Sequence, residues 1–266
     1  MRIVVTGATG NIGTSVVEAL AAEETVEDIV GVARRRPSWN PPKTTFAATD
    51  IRSHDLGTHL RGADVLVQLA WAFQPSHQPL ETWDVNVLGS IAAFEAAAEA
   101  GVRTIVYASS VGAYSPGPGR RVKENWPTHS MPTAAYGREK AYLERYLDAF
   151  ELRAPQVRVV RMRPCFVFKR EAASEQGRIF AGSLVPRQLL QPGRLKVLPV
   201  PVGLRFQAVH SDDVAEAVRL AVLNDVSGAF NIAADPVIDR SVLGELMEAR
   251  TTTVPAKAAI AAVGGA

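Results

Sequence analysis

The first stretch of the chain constrains the fold most. A β-branched run over 3–6 leads into three glycines, Gly7, Gly10 and Gly13, and an apolar helical pattern follows over 12–22. Glycines at these places permit a tight turn, a close approach of the backbone to a ligand and close packing of helix on strand. The N-terminal amides of the helix present partial positive charge to an anion. The segment predicts a loop that binds the pyrophosphate of a dinucleotide; a tight turn without a ligand is the alternative.

Beyond this loop, short β-branched runs alternate with alanine-rich helical patterns. Strand, helix, strand repetition predicts an α/β fold: a doubly wound parallel sheet of the Rossmann type with helices on both faces. Ligands of such sheets bind at the carboxyl ends of the strands. The predicted strands are 2–6, 28–33, 64–69, 104–108 and 157–162, and the predicted helices are 12–22, 83–100 and 133–150.

The alternation of strand and helix patterns ends after residue 163, where the predicted elements become shorter and the sequence becomes richer in proline. We predict an NAD(P)-binding domain over 1–163 and a small mixed substrate-binding lobe over 164–250, partly interleaved with the sheet. The tail over 251–266 is alanine-rich, and no element is predicted there. Within the lobe the predicted elements are a helix over 212–223, a strand over 229–233 and a helix over 241–249.

Composition narrows the class of partner. The 29 basic and 27 acidic residues are spread along the chain, so we expect a small-molecule partner and neither nucleic acid nor a membrane surface. A single cysteine, Cys165, together with a start that lacks a signal-peptide pattern, favours a cytoplasmic protein without processing. Its five histidines show no paired ligand spacing, and we expect no metal. A homodimer remains open.

Tyr136 and Lys140 are four residues apart in a helical pattern, so both side chains project from one face. A lysine ammonium and a nicotinamide charge would both favour the phenolate, which predicts a lowered pKa and an acid/base role for Tyr136. Ser110 follows the strand that ends at Ala108, where its hydroxyl could hold a substrate oxygen. The ordinary alternatives are a turn serine, a half-buried aromatic residue and a solvated lysine.

The motifs occur together in one order. TGATGNIG at 6–13 resembles the TGxxGxxG fingerprint of extended short-chain dehydrogenases, the NAD-dependent epimerase/dehydratase family. Further similarity extends to about residue 233. It continues at Asp50-Ile51, Leu69-Ala70, Asn86, YASSVGAY, Tyr136 to Lys140, Arg163-Pro164 and FQAVHSDDVA.

This resemblance implies roles that the residues alone do not. Asp50 would accept from the adenine amino group, with a helix N-cap as the alternative. Asn86 would support the backbone near Lys140, or is simply a polar surface residue. Cys165 would be a small apolar filler beside the nicotinamide. The resemblance makes Ser110, Tyr136 and Lys140 catalytic. The predicted cofactor-binding set is Gly7, Thr9, Gly10, Asn11, Ile12, Gly13, Arg34, Arg35, Asp50, Ile51, Leu69, Ala70, Asn86, Ala108, Tyr136, Lys140, Pro164 and Phe166.

The residues at the end of the second predicted strand indicate whether the protein prefers NAD or NADP. An enzyme that prefers NAD places Asp or Glu there to accept from the ribose hydroxyls, and this chain has Ala33. Arg34, with Arg35 or Arg36, can instead bond a 2′-phosphate. We therefore predict NADP as the preferred cofactor, with NAD open. Three solvated arginines are the alternative.

The reaction class follows from departures from the family pattern. Val111-Gly112 stands where dehydratases carry an acidic pair, which disfavours a dehydratase. The pyrophosphate arginine of nucleotide-sugar epimerases would fall on Phe206, with Arg205 one place off. The segments 71–73 and 165–168 are aromatic and apolar. They favour, together with Phe180, a hydrophobic carbonyl or alcohol substrate, although Lys169, Arg170 and Arg178 could hold a phosphate.

An oxidoreductase acting at a secondary alcohol or ketone is therefore predicted. A nucleotide-sugar epimerase is the second interpretation. A redox sensor that binds NAD(P) without turnover is the third, and it is disfavoured because Tyr136 and Lys140 are both present. Only one helical pattern follows the FNIAAD segment, so by resemblance we also expect a short C-terminal lobe with a partly open pocket.

Overall fold

The computed structural model of the protein describes residues 1–53, 55–73, 78–117, 119, 121–172 and 191–255. The chain forms two compact units. The first contains Met1–Cys165 and Ser211–Ile232, and the second contains Phe166–His210 and Ala233–Ala266. The chain therefore leaves the first unit after residue 165 and returns to it at residue 211.

The described strands number eleven. In chain order they are β1 Arg2–Thr6, β2 Asp28–Ala33, β3 Thr44–Ala48, β4 Val65–Gln68, β5 Thr104–Ala108, β6 Arg158–Pro164, β7 Phe166–Phe168, β8 Val197–Pro201, β9 Ala208–His210, β10 Gly228–Ile232 and β11 Arg250–Val254. The described α-helices are α1 Asn11–Ala21, α2 Leu56–Leu60, α3 Pro79–Trp83, α4 Gly89–Glu99, α5 Ala135–Arg153, α6 Ser211–Leu223 and α7 Arg240–Leu246.

A seven-stranded parallel sheet is the centre of the first unit, in the order β10-β6-β5-β4-β1-β2-β3. All residues of β4 and β5 are buried, as is typical of parallel strands covered on both faces. The strand order reverses between β4 and β1, and crevices at such points bind ligands in doubly wound sheets. The predicted α/β fold is confirmed.

Helices cover both faces of the sheet. On one face Val17 and Leu20 of α1 and Val218 of α6 pack into a core with β1, β4 and β6. On the other, Phe94 of α4 and Leu143 of α5 pack with β4 and β5. Burial of these large side chains, at about 1.5–3 kcal/mol each, is the main force that holds the layers together.

Polar contacts also join α1 to α6. The Ser15 hydroxyl donates to Asp212 Oδ1 at 2.6 Å. The Ser211 hydroxyl donates to the carbonyl oxygen of Asn11 at 2.8 Å. These bonds fasten the returning segment to the helix that follows the glycine loop.

The predicted helix over 83–100 is divided in the structure. A five-residue π turn, Asp84–Leu88, lies between α3 and α4. Such turns carry one residue more than the α-helical spacing that sequence periodicity detects, and they are frequent at functional sites. Here the turn contains the buried Asn86.

The described part of the second unit contains two parallel strand pairs, β7 with β9 and β8 with β11. Within it, Phe166 and Phe206 make an edge-to-face contact with ring centroids 5.5 Å apart. Strand β11 occupies the start of the tail, where no element is predicted. Its sequence RTTTV is β-branched, and the alanine-rich composition of 256–266 obscures that local preference.

No helix among the described residues is both long and apolar enough to cross a membrane. Within those same residues, no group of three or more His, Cys, Asp or Glu side chains converges as metal ligands would. His54 and His77 lie outside the described part of the chain.

Candidate active site

The glycine loop, which follows β1, has almost no room for side chains at Gly7 and Gly13. Gly7 has φ +66°, and a Cβ added to it would lie 2.8 Å from the amide nitrogen of Ala70. A Cβ on Gly13 would lie 2.1 Å from the carbonyl oxygen of Gly7. The N-cap of α1 is Gly10, which has no side chain to offer the first-turn amides. An anion can therefore reach those amides, and the loop fits the pyrophosphate of a dinucleotide.

Thr6, the residue before the glycine loop, connects the ends of β1 and β4 by hydrogen bonds. Its buried hydroxyl donates to Gln68 Oε1 at 2.7 Å. The same oxygen accepts from the amides of Leu69 and Ala70, each at 3.2 Å. The predicted cofactor residues Leu69 and Ala70 are thus held directly beside the glycine loop.

The three predicted catalytic residues converge at the carboxyl edge of the sheet. Ser110 follows β5, and its hydroxyl accepts from the amide of Gly112 at 3.0 Å. Tyr136 is the second residue of α5, and Lys140 lies one turn further along. A Cβ on Gly112 would be 3.2 Å from Tyr136 Cε1 and 3.3 Å from Ser110 Oγ. The serine and the tyrosine therefore both lie close to Gly112, and the two side chains share a hydrogen bond.

The pKa of Tyr136 departs from the sequence prediction. Burial raises the pKa of its phenol, a hydrogen bond with Ser110 lowers it, and the Glu139 carboxylate raises it again. The net pKa lies above the ordinary value, and the predicted effect of the lysine charge is not among its causes. The predicted lowering also counts the charge of a nicotinamide, and it stays a prediction. The side chain is nonetheless 36% exposed, which leaves part of the ring open to a ligand.

Lys140 explains part of this difference. Its Nζ donates to the carbonyl oxygen of Ala108 at 2.6 Å and lies 3.4 Å from the centroid of the Trp71 ring. It is 5.8 Å from the ring centroid of Tyr136. Burial lowers the pKa of Lys140 well below its ordinary value, and the carboxylates of Glu139 and Glu144 only partly oppose this. The side chain therefore bridges the end of β5 and Trp71.

Two aromatic residues flank Tyr136. Trp71 meets its ring edge-on at a centroid distance of 5.6 Å, and Phe73 stacks on it at 5.6 Å with 15° between the ring planes. Phe73 is 48% exposed. We call Trp71, Phe73 and Tyr136 the aromatic ledge. The predicted pocket segment 71–73 thus lies beside the acid/base candidate, whereas Phe180 and Arg178 fall outside the described residues.

Asn86 is fully buried, which rules out the alternative of a surface residue. Its side-chain amide accepts from the amide of Ala72 at 2.7 Å and donates to the carbonyl oxygen of Ala72 at 2.9 Å. It also donates to Glu139 Oε2 at 2.8 Å, while Thr82 donates to Glu139 Oε1 at 2.8 Å. Asn86 therefore fixes the backbone between Trp71 and Phe73.

The predicted adenine and ribose contacts lie around the ends of β2 and β3. Asp50 makes a bidentate pair with Arg52, at 2.8 Å and 3.0 Å, and Arg52 also bonds Asp84. The side-chain hydrogen bond from Arg52 lowers the pKa of Asp50, which burial raises, and the charge of Arg34 lowers it further. Arg34 and Arg35 are exposed directly after β2.

Other members of the cofactor set differ in their surroundings. Ile51 is buried, and its Cδ1 would be 2.9 Å from a Cβ on Gly89 of α4, so it packs under that helix. Ala108 ends β5 and accepts from Lys140. Pro164 ends β6 and is buried. Phe166 belongs to the second unit, where its ring contacts Phe206.

Sequence reasoning missed a buried carboxylate behind the site. Glu144 of α5 is 0% exposed and binds Ser109, Arg161 and Arg163. The signal was present, because Glu144 follows Lys140 by four residues and therefore shares its helix face. Arg163 lies in the Arg163-Pro164 motif, which the resemblance alone connects with the site.

A family model described as the NAD dependent epimerase/dehydratase family matches residues 3–233. The chain belongs to this family. The family prediction is thereby confirmed, and the described site lies within the matched range.

Individual relatives differ in how much of their length this chain spans. An uncharacterized protein of Mycobacterium tuberculosis is 29% identical over 238 residues, which are 88% of this chain and 22% of that protein. The sterol demethylase protein B of Methylococcus capsulatus is 31% identical over 237 residues, 86% of this chain and 68% of that protein. The UDP-glucose 4-epimerase of Thermus thermophilus, solved with NAD, has a TM-score of 0.74 at 26% identity and covers 96% of this chain and 86% of its own.

Proposed function

We propose that the protein is an NAD(P)-dependent oxidoreductase that transfers a hydride at a secondary alcohol or ketone carbon. The observation that carries this proposal is the convergence of Ser110, Tyr136 and Lys140 at the carboxyl edge of the sheet whose first strand leads into the glycine loop. Family membership supports the cofactor class. The narrow turn between Gly7 and Gly13 is the cradle that a dinucleotide requires.

When bound, a nicotinamide dinucleotide would supply the hydride acceptor or donor. The first-turn amides of α1 would bind its pyrophosphate, and Ser110 would orient the substrate oxygen by a hydrogen bond. Burial raises the pKa of the Tyr136 phenol and so favours the form that keeps its proton, which is the form that donates to a ketone oxygen. Lys140 fixes the end of β5 through Ala108 and so holds the strand from which Ser110 follows.

We propose a flat, apolar ketone or alcohol as the substrate class. The aromatic ledge gives a ring-lined surface beside the Tyr136 hydroxyl, and apolar rings pack well on such a surface. The relative named sterol demethylase protein B agrees with this class, since a sterol is a flat, apolar alcohol. Phe73 is the most exposed of the three rings, at 48%.

NADP is the proposed cofactor, with NAD as the alternative. Ala33 ends β2 without a carboxylate, and exposed Arg34 and Arg35 follow it. A 2′-phosphate would meet two guanidinium groups there and no acid from β2. The acid nearby, Asp50, is paired with Arg52.

The direct test is consumption of NADPH or NADH with a panel of alicyclic ketones, aromatic ketones and sterol ketones. Tyr136→Phe should abolish turnover on any substrate found. Tyr142→Phe removes a hydroxyl from the same helix on a residue that is 47% exposed, and it should keep full activity. Equal rates for both variants would refute the assignment of Tyr136.

A nucleotide-sugar epimerase is the second candidate, favoured by the fold match to the Thermus thermophilus UDP-glucose 4-epimerase. An epimerase would convert UDP-glucose without net change in cofactor, whereas the proposed oxidoreductase consumes NADPH stoichiometrically. Product analysis with UDP-glucose and catalytic NAD therefore separates the two. Phe206, at the place of the pyrophosphate arginine, weighs against the epimerase.

A further inference from the structure

Glu144 is a buried charge that the acid/base chemistry does not use. It lies on α5 four residues after Lys140 and eight after Tyr136, so the three side chains share one helix face. Burying a carboxylate is costly unless it is paired and fully hydrogen-bonded. Such buried ion pairs rarely add stability over an apolar core. We therefore ask which parts of the site the bonds of Glu144 hold in place.

The partners of Glu144 come from two strand ends. Arg163 of β6 donates through Nε to Oε1 and through Nη2 to Oε2, both at 2.8 Å. Arg161 donates to Oε2 at 3.2 Å. The hydroxyl of Ser109, directly after β5, donates to Oε1 at 2.6 Å. Burial would raise the pKa of Glu144, but the bonds from Arg163 and Ser109 bring it below the ordinary value.

Ser109 is also 2% exposed and precedes Ser110. The segment Ala108 to Ser110 is thus fastened to α5 at two successive residues, by Lys140 at the carbonyl oxygen of Ala108 and by Glu144 at the Ser109 hydroxyl. After these two anchors the chain enters the turn Val111–Ala113, whose Gly112 amide donates to Ser110. The place of the Ser110 hydroxyl relative to Tyr136 therefore depends on both anchors.

We propose that Ser109 is a positioning residue: the Ser109–Glu144 hydrogen bond, held by Arg163, sets the Ser110 hydroxyl against Tyr136. This inference rests on the proposed function only in naming Tyr136 as the acid/base. A merely structural role for Ser109 would change stability and leave the chemistry of Tyr136 unchanged.

The readout is the ionisation of Tyr136 itself. All five tyrosines are replaced by 3-fluorotyrosine, whose phenol ionises at lower pH, and each is followed by fluorine NMR in the full chain. The Tyr136 signal is the one that Tyr136→Phe removes. The titratable groups around Tyr136 in the described first unit are Glu139 and Lys140 of α5 and Tyr107 of β5, and none of the variants changes them.

The Ser110 bond lowers the pKa of Tyr136, so Ser110→Ala should raise its titration midpoint. Ser109→Ala should raise the midpoint by roughly half of that shift or more, and should add nothing in the Ser110→Ala background. Ser109→Cys keeps the volume with a weaker donor, and it should give a smaller rise if the alanine variant fails to fold. On a substrate that is turned over, Ser109→Ala should lower kcat roughly tenfold, with KM for the cofactor unchanged.

Ser15→Ala is the matched control, because it also removes a buried hydroxyl that donates to a carboxylate at 2.6 Å. It should leave the Tyr136 midpoint where it is. An unmoved midpoint in Ser109→Ala and Ser109→Cys would overturn the proposal, as would an equal shift with and without Ser110. The NMR arm needs no substrate, so absence of turnover would count against the proposed function alone.

Discussion

Replacing Gly13 by alanine tests the glycine loop with a single methyl group. The added Cβ would lie 2.1 Å from the carbonyl oxygen of Gly7 and 2.8 Å from the carbonyl carbon of Ala8. Both contacts are to backbone, so no rotation of a side chain relieves them. The turn after β1 or the start of α1 has to move.

Two effects oppose each other at this position. Alanine is favoured over glycine inside a helix by about 1 kcal/mol, whereas forcing an extra carbon into a packed site costs about 1–3 kcal/mol. A contact of 2.1 Å falls at the severe end of that range. We therefore expect a net loss of about 1–2 kcal/mol, or about 2–8 °C in the thermal midpoint. Affinity for NADPH and NADH should fall at least about tenfold as the loop amides are displaced.

The matched control is Gly57→Ala in α2, where an added Cβ meets nothing within 4 Å. This variant should gain about 0.5–1 kcal/mol and bind cofactor as the unaltered protein does. Thermal denaturation and calorimetric cofactor titration measure both variants. A Gly13→Ala protein with an unchanged thermal midpoint and unchanged cofactor affinity would show that the loop is not tightly packed around Gly13.

Three other predictions concern the site. Tyr136→Phe should lower kcat by about two to four orders of magnitude with cofactor affinity nearly intact, measured by steady-state kinetics beside Tyr142→Phe. Arg34→Ala should weaken NADPH binding about tenfold or more and change NADH binding little; equal losses would show that Arg34 does not read the phosphate. Glu144→Gln should destabilise the protein by about 3 kcal/mol at neutral pH because it leaves Arg163 without its charge partner. Since the folded pKa of Glu144 lies below the unfolded value of 4.5, this contribution is complete above about pH 4.5 and is lost as pH falls through the folded pKa. The stability difference between Glu144→Gln and the unaltered protein should therefore shrink in acid, as measured by urea denaturation across pH; a constant difference would refute the shift.

The local sequence pattern predicted the central strands, which are covered by helices on both faces of the sheet. Strands β1, β2 and β5 match their predicted bounds because continuous β-branched runs between turns have few alternative conformations. Periodicity did not detect the π turn at Asp84–Leu88, which breaks the α-helical spacing. It also missed β11, where five residues pair with residues 53 positions earlier in the chain. Such pairing depends on tertiary contacts that a sequence window does not contain.

For the site, spacing predicted which side chains share a helix face and could not predict their electrostatics. The positions of Tyr136 and Lys140 follow from helical geometry alone. Their pKa shifts depend first on burial, then on Ser110 and Glu139 for Tyr136 and on Glu139 and Glu144 for Lys140. Lys140 contacts a carbonyl oxygen and an indole ring, and burial sets the direction of the pKa shift of the Tyr136 phenol.

The geometry of α5 connects these points. Tyr136, Lys140 and Glu144 lie at successive turns of one face, and the last two bind adjacent residues at the end of β5. Rotation or sliding of α5 would displace the phenol and break both anchors together. The burial of Glu144 makes this placement specific. A buried carboxylate that lost its bond to Ser109 or Arg163 would have no water to replace that partner. The helix position that keeps both bonds is therefore strongly favoured. An exposed carboxylate would tolerate many placements, and the Ser110 hydroxyl would be correspondingly less well aligned with Tyr136.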